Sequence, residues 1–168
     1  MGTDMKALLG PLAERARQKE KEYKKYLSRL RERNPKKLDA VFKQLHDEVF
    51  AEMECLECAN CCRVLGPRFR ELDIDRIAGH LNMHRKTFIS LYLEIDEDGD
   101  YVLRKLPCPF LEENNRCSVY EFRPRACDEY PHTNMKNMRG KLVMTRKNLP
   151  VCPAVYEIVE RIRKIFPL

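Results

Sequence analysis

"MECLECANCCRVLG" (residues 53–66) sets four of the chain's eight cysteines, Cys55, Cys58, Cys61 and Cys62, within eight positions. Sulfurs at this density hold a metal, form disulfides or do chemistry, and the choice decides what kind of core the chain builds. Thiolates are soft anionic ligands suited to zinc and to iron–sulfur clusters, and a gap of two residues lets successive side chains converge on one centre. Cys55, Cys58 and Cys61 meet that spacing twice. Cys62 departs from it: adjacent side chains diverge, so Cys61 and Cys62 would not share one ion, which leaves one of them for a second centre. The remaining sulfurs, Cys108, Cys117, Cys127 and Cys152, must be brought back by the fold, two from loops and two from beside helix starts.

The opening residues, "MGTDMKALLGPLAERARQ", lack the charged-then-apolar pattern and the cleavage ending of a secretory leader, and are read as a mature cytosolic start. A reducing cytosol disfavours structural disulfides, so eight clustered cysteines are better explained as thiolate ligands than as bridges. For each distant cysteine the competing reading is a buried, inert small hydrophobe. The bacterial ferredoxin pattern has the same C-x2-C-x2-C start with a later Cys-Pro, and here Cys108 and Cys152 precede Pro109 and Pro153. That spacing favours an iron–sulfur cluster, while a pair of four-thiolate Zn2+ sites would use eight thiolates equally well.

Length and charge bound the rest. At 168 residues the chain is expected to form one compact domain, with residues 1–52 as N-terminal amphipathic helices and 53–168 as a cysteine-cluster region closed by a C-terminal helix. Charged residues make up 35% and no run of eighteen apolar residues occurs, so no membrane span is expected. The net charge is +6, and residues 1–50 hold thirteen Lys or Arg against eight Asp or Glu. Acidic residues are interleaved through that region ("RARQKEKEYKKYLSRLRER"), as on a solvated helix face with internal ion pairs, which disfavours a nucleic-acid partner.

Periodicity predicts a mainly α fold with a minor β-hairpin, a small α+β domain stabilised by metal around a cysteine-rich core. Leu8, Leu12, Ala16, Tyr23, Leu27 and Leu30 form a sparse helical stripe over residues 6–32, expected to stand partly off the core. Asn34 can cap and Pro35 can open a second helix, whose positions Leu38, Val41, Phe42, Leu45, Val49 and Phe50 make one apolar face. Beyond the cysteines, Asp73 or Asp75 caps a short helix with Ile74, Ile77, Ala78 and Leu81, and "MHRKTFISLYL" supplies its hairpin partner. "DEDGD" reads as a turn and "YVLRKL" as a strand, with "RCSVY" expected to pair with it across "PCPFLEENN". Pro153 opens a last helix carrying Val155, Ile158, Val159, Ile162 and Ile165 on one face.

Other candidate groups are few. His132, five residues after Cys127, is either a ligand or proton relay or a surface residue, and the lack of a second His at ligand spacing favours the surface. His46, His80 and His84 fall on predicted helices and are read as structural or exposed. Arg123 and Arg125 bracket Pro124 just before Cys127; a guanidinium cannot lose its charge, so it can offset the charge of a thiolate-bound centre, the alternative being an ordinary surface pair. Phe110, Tyr120 and Tyr130 suit the dry wall of such a site. No Walker loop, no G-x-S-x-G and no C-x3-C-x2-C radical loop occurs, so no catalytic residue is assigned.

"CLECANCC" followed by "CPFLEENNRCSVYEFRPRACDEYP" resembles the C-x2-C-x2-C-C cysteine-cluster family of zinc- or iron-chelating domains, with "LPVCPA" around Cys152 as a tail element. The resemblance implies that Cys55, Cys58, Cys61, Cys62, Cys108, Cys117 and Cys127 are metal-ligand candidates, with Cys152 less firmly placed, and that the cofactor is an iron–sulfur cluster or Zn2+. Members of that family are mostly bacterial and often labelled metal-chelating or iron–sulfur oxidoreductases by association, and a related cluster looks similar to one in flagellin lysine methylases. Family members commonly carry Gly after the second cysteine, where this chain has Ala59 and then Asn60. The expected function is therefore a cytosolic metal-binding protein, whose partner is a metal ion or cluster with a protein partner also open. An iron–sulfur oxidoreductase or protein-modifying enzyme is the alternative, and a zinc-stabilised nucleic-acid module the weaker one.

Overall fold

Two hydrophobic cores, each built from its own set of elements, organise the computed structural model, which describes residues 5–167, with side chains from residue 11. In chain order the elements are α1 (Met5–Gln18), α2 (Glu20–Leu30), α3 (Pro35–Glu52), α4 (Cys55–Cys58), α5 (Asn60–Val64), β1 (Arg68–Phe69), α6 (Glu71–His80) and α7 (Arg85–Tyr92). They continue with β2 (Leu93–Ile95), β3 (Tyr101–Leu103), a 3-10 turn (Tyr120–Phe122), α8 (Arg125–Asp128), α9 (Met138–Asn148) and α10 (Pro153–Ile165). The chain is thus mainly helical with a small antiparallel sheet, as expected. No helix among the described residues is long and apolar enough to cross a membrane.

The first unit combines Met1–Cys58 with Pro131–Leu168. The single helix expected over residues 6–32 is two helices, because Lys19 at φ −97° and ψ 11° leaves helical geometry between α1 and α2. Leu12, Ala16, Tyr23, Tyr26, Leu27 and Leu30 are all buried, so these helices lie on the core rather than off it; the Leu8 side chain is outside the described residues. Asn34 caps α3 by accepting from the Lys37 N–H at 3.1 Å, with Pro35 in the first turn. Leu38, Phe42, Leu45 and Val49 of α3 are buried against Val155, Ile158, Val159 and Ile162 of α10 in one apolar cluster. Each such side chain removed from water contributes about 1.5–3 kcal/mol. Ile165, expected on the same face, is instead 47% exposed at the last position of α10, where the stripe runs out.

The second unit is Ala59–Tyr130. Helices α6 and α7 pack together over Ile74, Ile77, Ala78 and Phe88, the helical hairpin read from the sequence. Asp73 sits at the third helical position rather than at the cap, and its carboxylate accepts from the N–H of the cap residue Arg70 at 3.0 Å. The sheet order is β1-β3-β2, both pairs antiparallel, with Leu93 opposite Leu103 and Ile95 opposite Tyr101. The partner of "YVL" is therefore the segment before the turn, not "RCSVY" after it; Cys117 forms an isolated bridge with Leu111 instead. A tight turn explains the choice, since short loops cost the least closure entropy. Asp96 accepts from the N–H groups of Asp98 and Asp100 at 3.0 and 2.9 Å, and Gly99 takes φ 83°, a conformation open to glycine.

Candidate metal centre

Within the second unit, five cysteines come from four stretches of chain. Ala59, in the left-handed region at φ 48°, turns the backbone into α5, which carries Cys61 and Cys62 with their sulfurs 4.0 Å apart. The Cys62 carbonyl accepts from the Cys108 N–H at 2.8 Å, fastening the "PCPF" loop to α5. That loop is closed on itself by the Leu111–Cys117 bridge and by the Ser118 N–H donating to the Phe110 carbonyl at 2.8 Å. Cys127 is presented by α8.

These sulfurs share one electrostatic neighbourhood. Burial pushes the Cys127 thiol up to about 12, and negative charge on Cys62, Cys108 and Cys117 pushes in the same direction. Cys108 is pushed up to about 11 by burial, with Cys62 and Cys117 adding to it, and Cys117 is raised mainly by burial. Cys62 moves the other way, to about 7: the hydrogen bond with the Cys61 thiol lowers it against the pull of burial, and the Arg63 guanidinium helps. Each of these thiols thus opposes the ionisation of the others, an opposition of the kind that a bound cation relieves.

A second cation, in addition to Arg63, acts on the group. The Arg123 guanidinium lowers Cys117 and Cys127 against burial, and it is held by Asp128 at 2.5 Å, by the Tyr120 carbonyl at 2.8 Å and over the Tyr120 ring at 4.1 Å. Arg125 turns elsewhere: its side chain pairs with Glu129, and its backbone N–H donates to Asp73 at 3.2 Å. Only one of the two arginines bracketing Pro124 thus works on the sulfurs.

Asp73 is the residue that sequence reasoning read too simply. It is fully buried, and each carboxylate oxygen accepts two bonds: Oδ2 from the N–H and Nε of Arg70 at 3.0 and 3.3 Å, Oδ1 from Arg76 Nη2 at 2.9 Å and from the Arg125 N–H. Its helical position reads as a cap in sequence; the link to residue 125 depends on tertiary structure and leaves no local signal.

The first unit holds three cysteines. Cys55 and Cys58 stand one turn apart on α4, the former exposed and the latter in the apolar core. Cys152 packs half-buried against that core at the N-cap of α10. Burial pushes Cys152 up to about 12, the N–H groups of Val155 and Ala154 oppose this, and Cys55 and Cys58 add to it.

No disulfide joins any of the eight cysteines, all of which lie among the described residues. Among those residues no group of three or more His, Cys, Asp or Glu side chains is set to hold a metal ion as it stands. Three of the four histidines are engaged otherwise: His46 Nδ1 meets Thr133 Oγ1 at 2.8 Å, His80 stacks on Phe122 at 4.0 Å and His84 caps α7. A cleft of about 220 Å3 in the first unit is lined by Ala16, Arg17, Tyr23, Arg146, Lys147 and Leu149 among others, with no cysteine in its lining.

The profile of the family CxxCxxCC, described as "Putative zinc- or iron-chelating domain", matches residues 54–153, more than half of the 168. The chain belongs to the CxxCxxCC family. The matched CxxCxxCC region contains all eight cysteines and the whole second unit, and the helices up to residue 52 lie outside it. Neither a curated protein nor a solved structure matches the chain.

Proposed function

We propose that this protein binds metal through two thiolate sets and holds iron as an iron–sulfur cluster in at least one of them. Cys62, Cys108, Cys117 and Cys127 form one ligand set, Cys55, Cys58 and Cys152 supply the other, and Cys61, beside Cys62, is a further ligand of the second unit. The observation that carries the reading is the shared field of four thiols drawn from separate segments of one unit. Soft sulfur donors with guanidinium charge alongside suit zinc or an iron–sulfur centre and suit magnesium or calcium poorly. The C-x2-C-x2-C spacing and the Cys-Pro at residues 152–153 favour iron–sulfur over zinc.

When bound, a cluster supplies one-electron chemistry, whereas zinc in a closed four-thiolate shell supplies a cross-link. The chain's own residues do the rest. α5 and the "PCPF" loop orient sulfurs through the Cys62–Cys108 backbone bond, Phe110 and Val119 exclude water from the second core, and Arg123 holds positive charge beside Cys117 and Cys127. The test is iron, zinc and acid-labile sulfide analysis of protein purified without oxygen. Iron with sulfide and broad visible absorption is expected. Zinc without sulfide overturns the iron–sulfur assignment, and neither metal overturns chelation.

A further inference from the structure

The four-thiol set of the second unit depends on a short stretch, Phe122 to Cys127, that has little regular structure of its own. Its 3-10 turn spans Tyr120–Phe122 and its helix only Arg125–Asp128. Pro124, at the cap of that helix, brings no N–H with which to fasten itself. Besides the local turn bonds, three backbone groups just ahead of Cys127 bond to α6. Arg76 donates from Nη2 to the Arg123 carbonyl at 2.8 Å and from Nε to the Phe122 carbonyl at 3.3 Å. The Arg125 N–H donates to Asp73 Oδ1, the same oxygen that receives Arg76 Nη2. The ring of Phe122 is also stacked on His80 of α6.

We propose that Asp73 and Arg76 are positioning residues for the metal set, a buried carboxylate–guanidinium latch that fixes the backbone of residues 122–125 and thereby aims Cys127. The proposal rests on the chelation reading above. Its physical basis is the cost of leaving a buried carboxylate unsatisfied, which forces Asp73 to keep all its donors. A capping carboxylate at the third helical position needs only the Arg70 N–H. The two further bonds on Oδ1 reach outside that local motif or turn a guanidinium toward the ligand-bearing segment. Arg is suited to this role because its planar fork reaches a carboxylate and two carbonyls together, which a lysine nitrogen does not. Burial acts to raise the Asp73 carboxyl, but the Arg70 and Arg125 N–H groups and the Arg76 guanidinium outweigh it and hold the carboxyl below its ordinary range.

Asp73→Asn and Arg76→Gln in the full chain test the latch, with Arg85→Gln as control. Arg85, on α7, pairs with Glu71 and Asp75 of α6 and not with residues 122–127. The reading is the rate at which each metal-loaded protein, as purified, gives up its metal to excess chelator, followed beside its thermal melt. Outer-shell partners of metal ligands are worth roughly 10- to 100-fold in affinity, so both latch variants should release metal faster by about that factor while Arg85→Gln keeps the wild-type rate. Should Asp73→Asn fail to fold, Arg76→Gln, altering a side chain 40% exposed, carries the test. Unchanged release in the latch variants, or equal acceleration in Arg85→Gln, overturns the latch and leaves chelation standing. A wild-type chain that holds no metal overturns both.

Discussion

Ala59 carries the sharpest conflict between a residue and its backbone. It follows Cys58, and its φ of 48° lies in the left-handed region that costs a residue with a Cβ about 1–2 kcal/mol. The turn survives because the methyl is 3% exposed and its burial returns about 0.8 kcal/mol. Ala59→Gly relieves the strain but forfeits that burial and adds about 0.5–1 kcal/mol of unfolded-chain entropy, so we expect a change within about 1 kcal/mol. Ala59→Val, branched at a left-handed and buried position, should destabilise by more than about 2 kcal/mol in denaturant unfolding. The thiols set a pH dependence. Cys127 and Cys152 are raised to about 12 and Cys108 to about 11 from an ordinary 9.0. Between those limits the unfolded chain has lost protons that the folded chain keeps. The stability these thiols contribute is complete below pH 9.0 and is lost as pH rises through their folded values. Cys62, lowered to about 7, contributes with the opposite sign but is one group against three. The denaturation midpoint of metal-free protein should therefore fall above pH 9.0, and a midpoint that rises there would contradict the burial of these sulfurs.

Elements differ in how plainly the sequence announces them. α3 is legible because its cap, its proline and its apolar period agree. The end of α7 is not: "LYL" continues the helical pattern, yet Leu93 turns extended at φ −118° and ψ 154° because its pairing with Leu103 and its complete burial outweigh one more turn of helix. α9 went unread for the opposite reason, since "MRGKLVMTRKN" has a glycine and a weak stripe. Its start is instead fixed from 98 residues away, where the Asp39 carboxylate accepts from the Asn137 and Met138 N–H groups at 2.9 and 2.8 Å. Asp39→Ala should cost about 1 kcal/mol, the usual worth of a cap, and a neutral change in thermal melting would show that α9 needs no such anchor. In the second core, Phe88 is fully buried and packs near Phe69, Tyr92 and Phe110. Phe88→Ala should cost about 3–5 kcal/mol in denaturant unfolding.

For the whole molecule, apolar periodicity made the mainly helical fold legible and cysteine spacing the family, because both are local signals. The partition of the sulfurs was legible only in outline. Which unit each distant cysteine falls in depends on chain reversals, the Cys62–Cys108 backbone bond and the seating of Cys152 at the start of α10 among them. The boundary between the two units falls between Cys58 and Ala59, inside the cysteine motif itself, and no composition shift marks it. That partition is the account's central claim, and metal content per chain tests it most directly in wild type, Cys117→Ser, Cys152→Ser and the double variant. We expect each single variant to keep part of the wild-type metal and the double variant to lose nearly all of it. Wild-type content in every variant would contradict the two-set assignment.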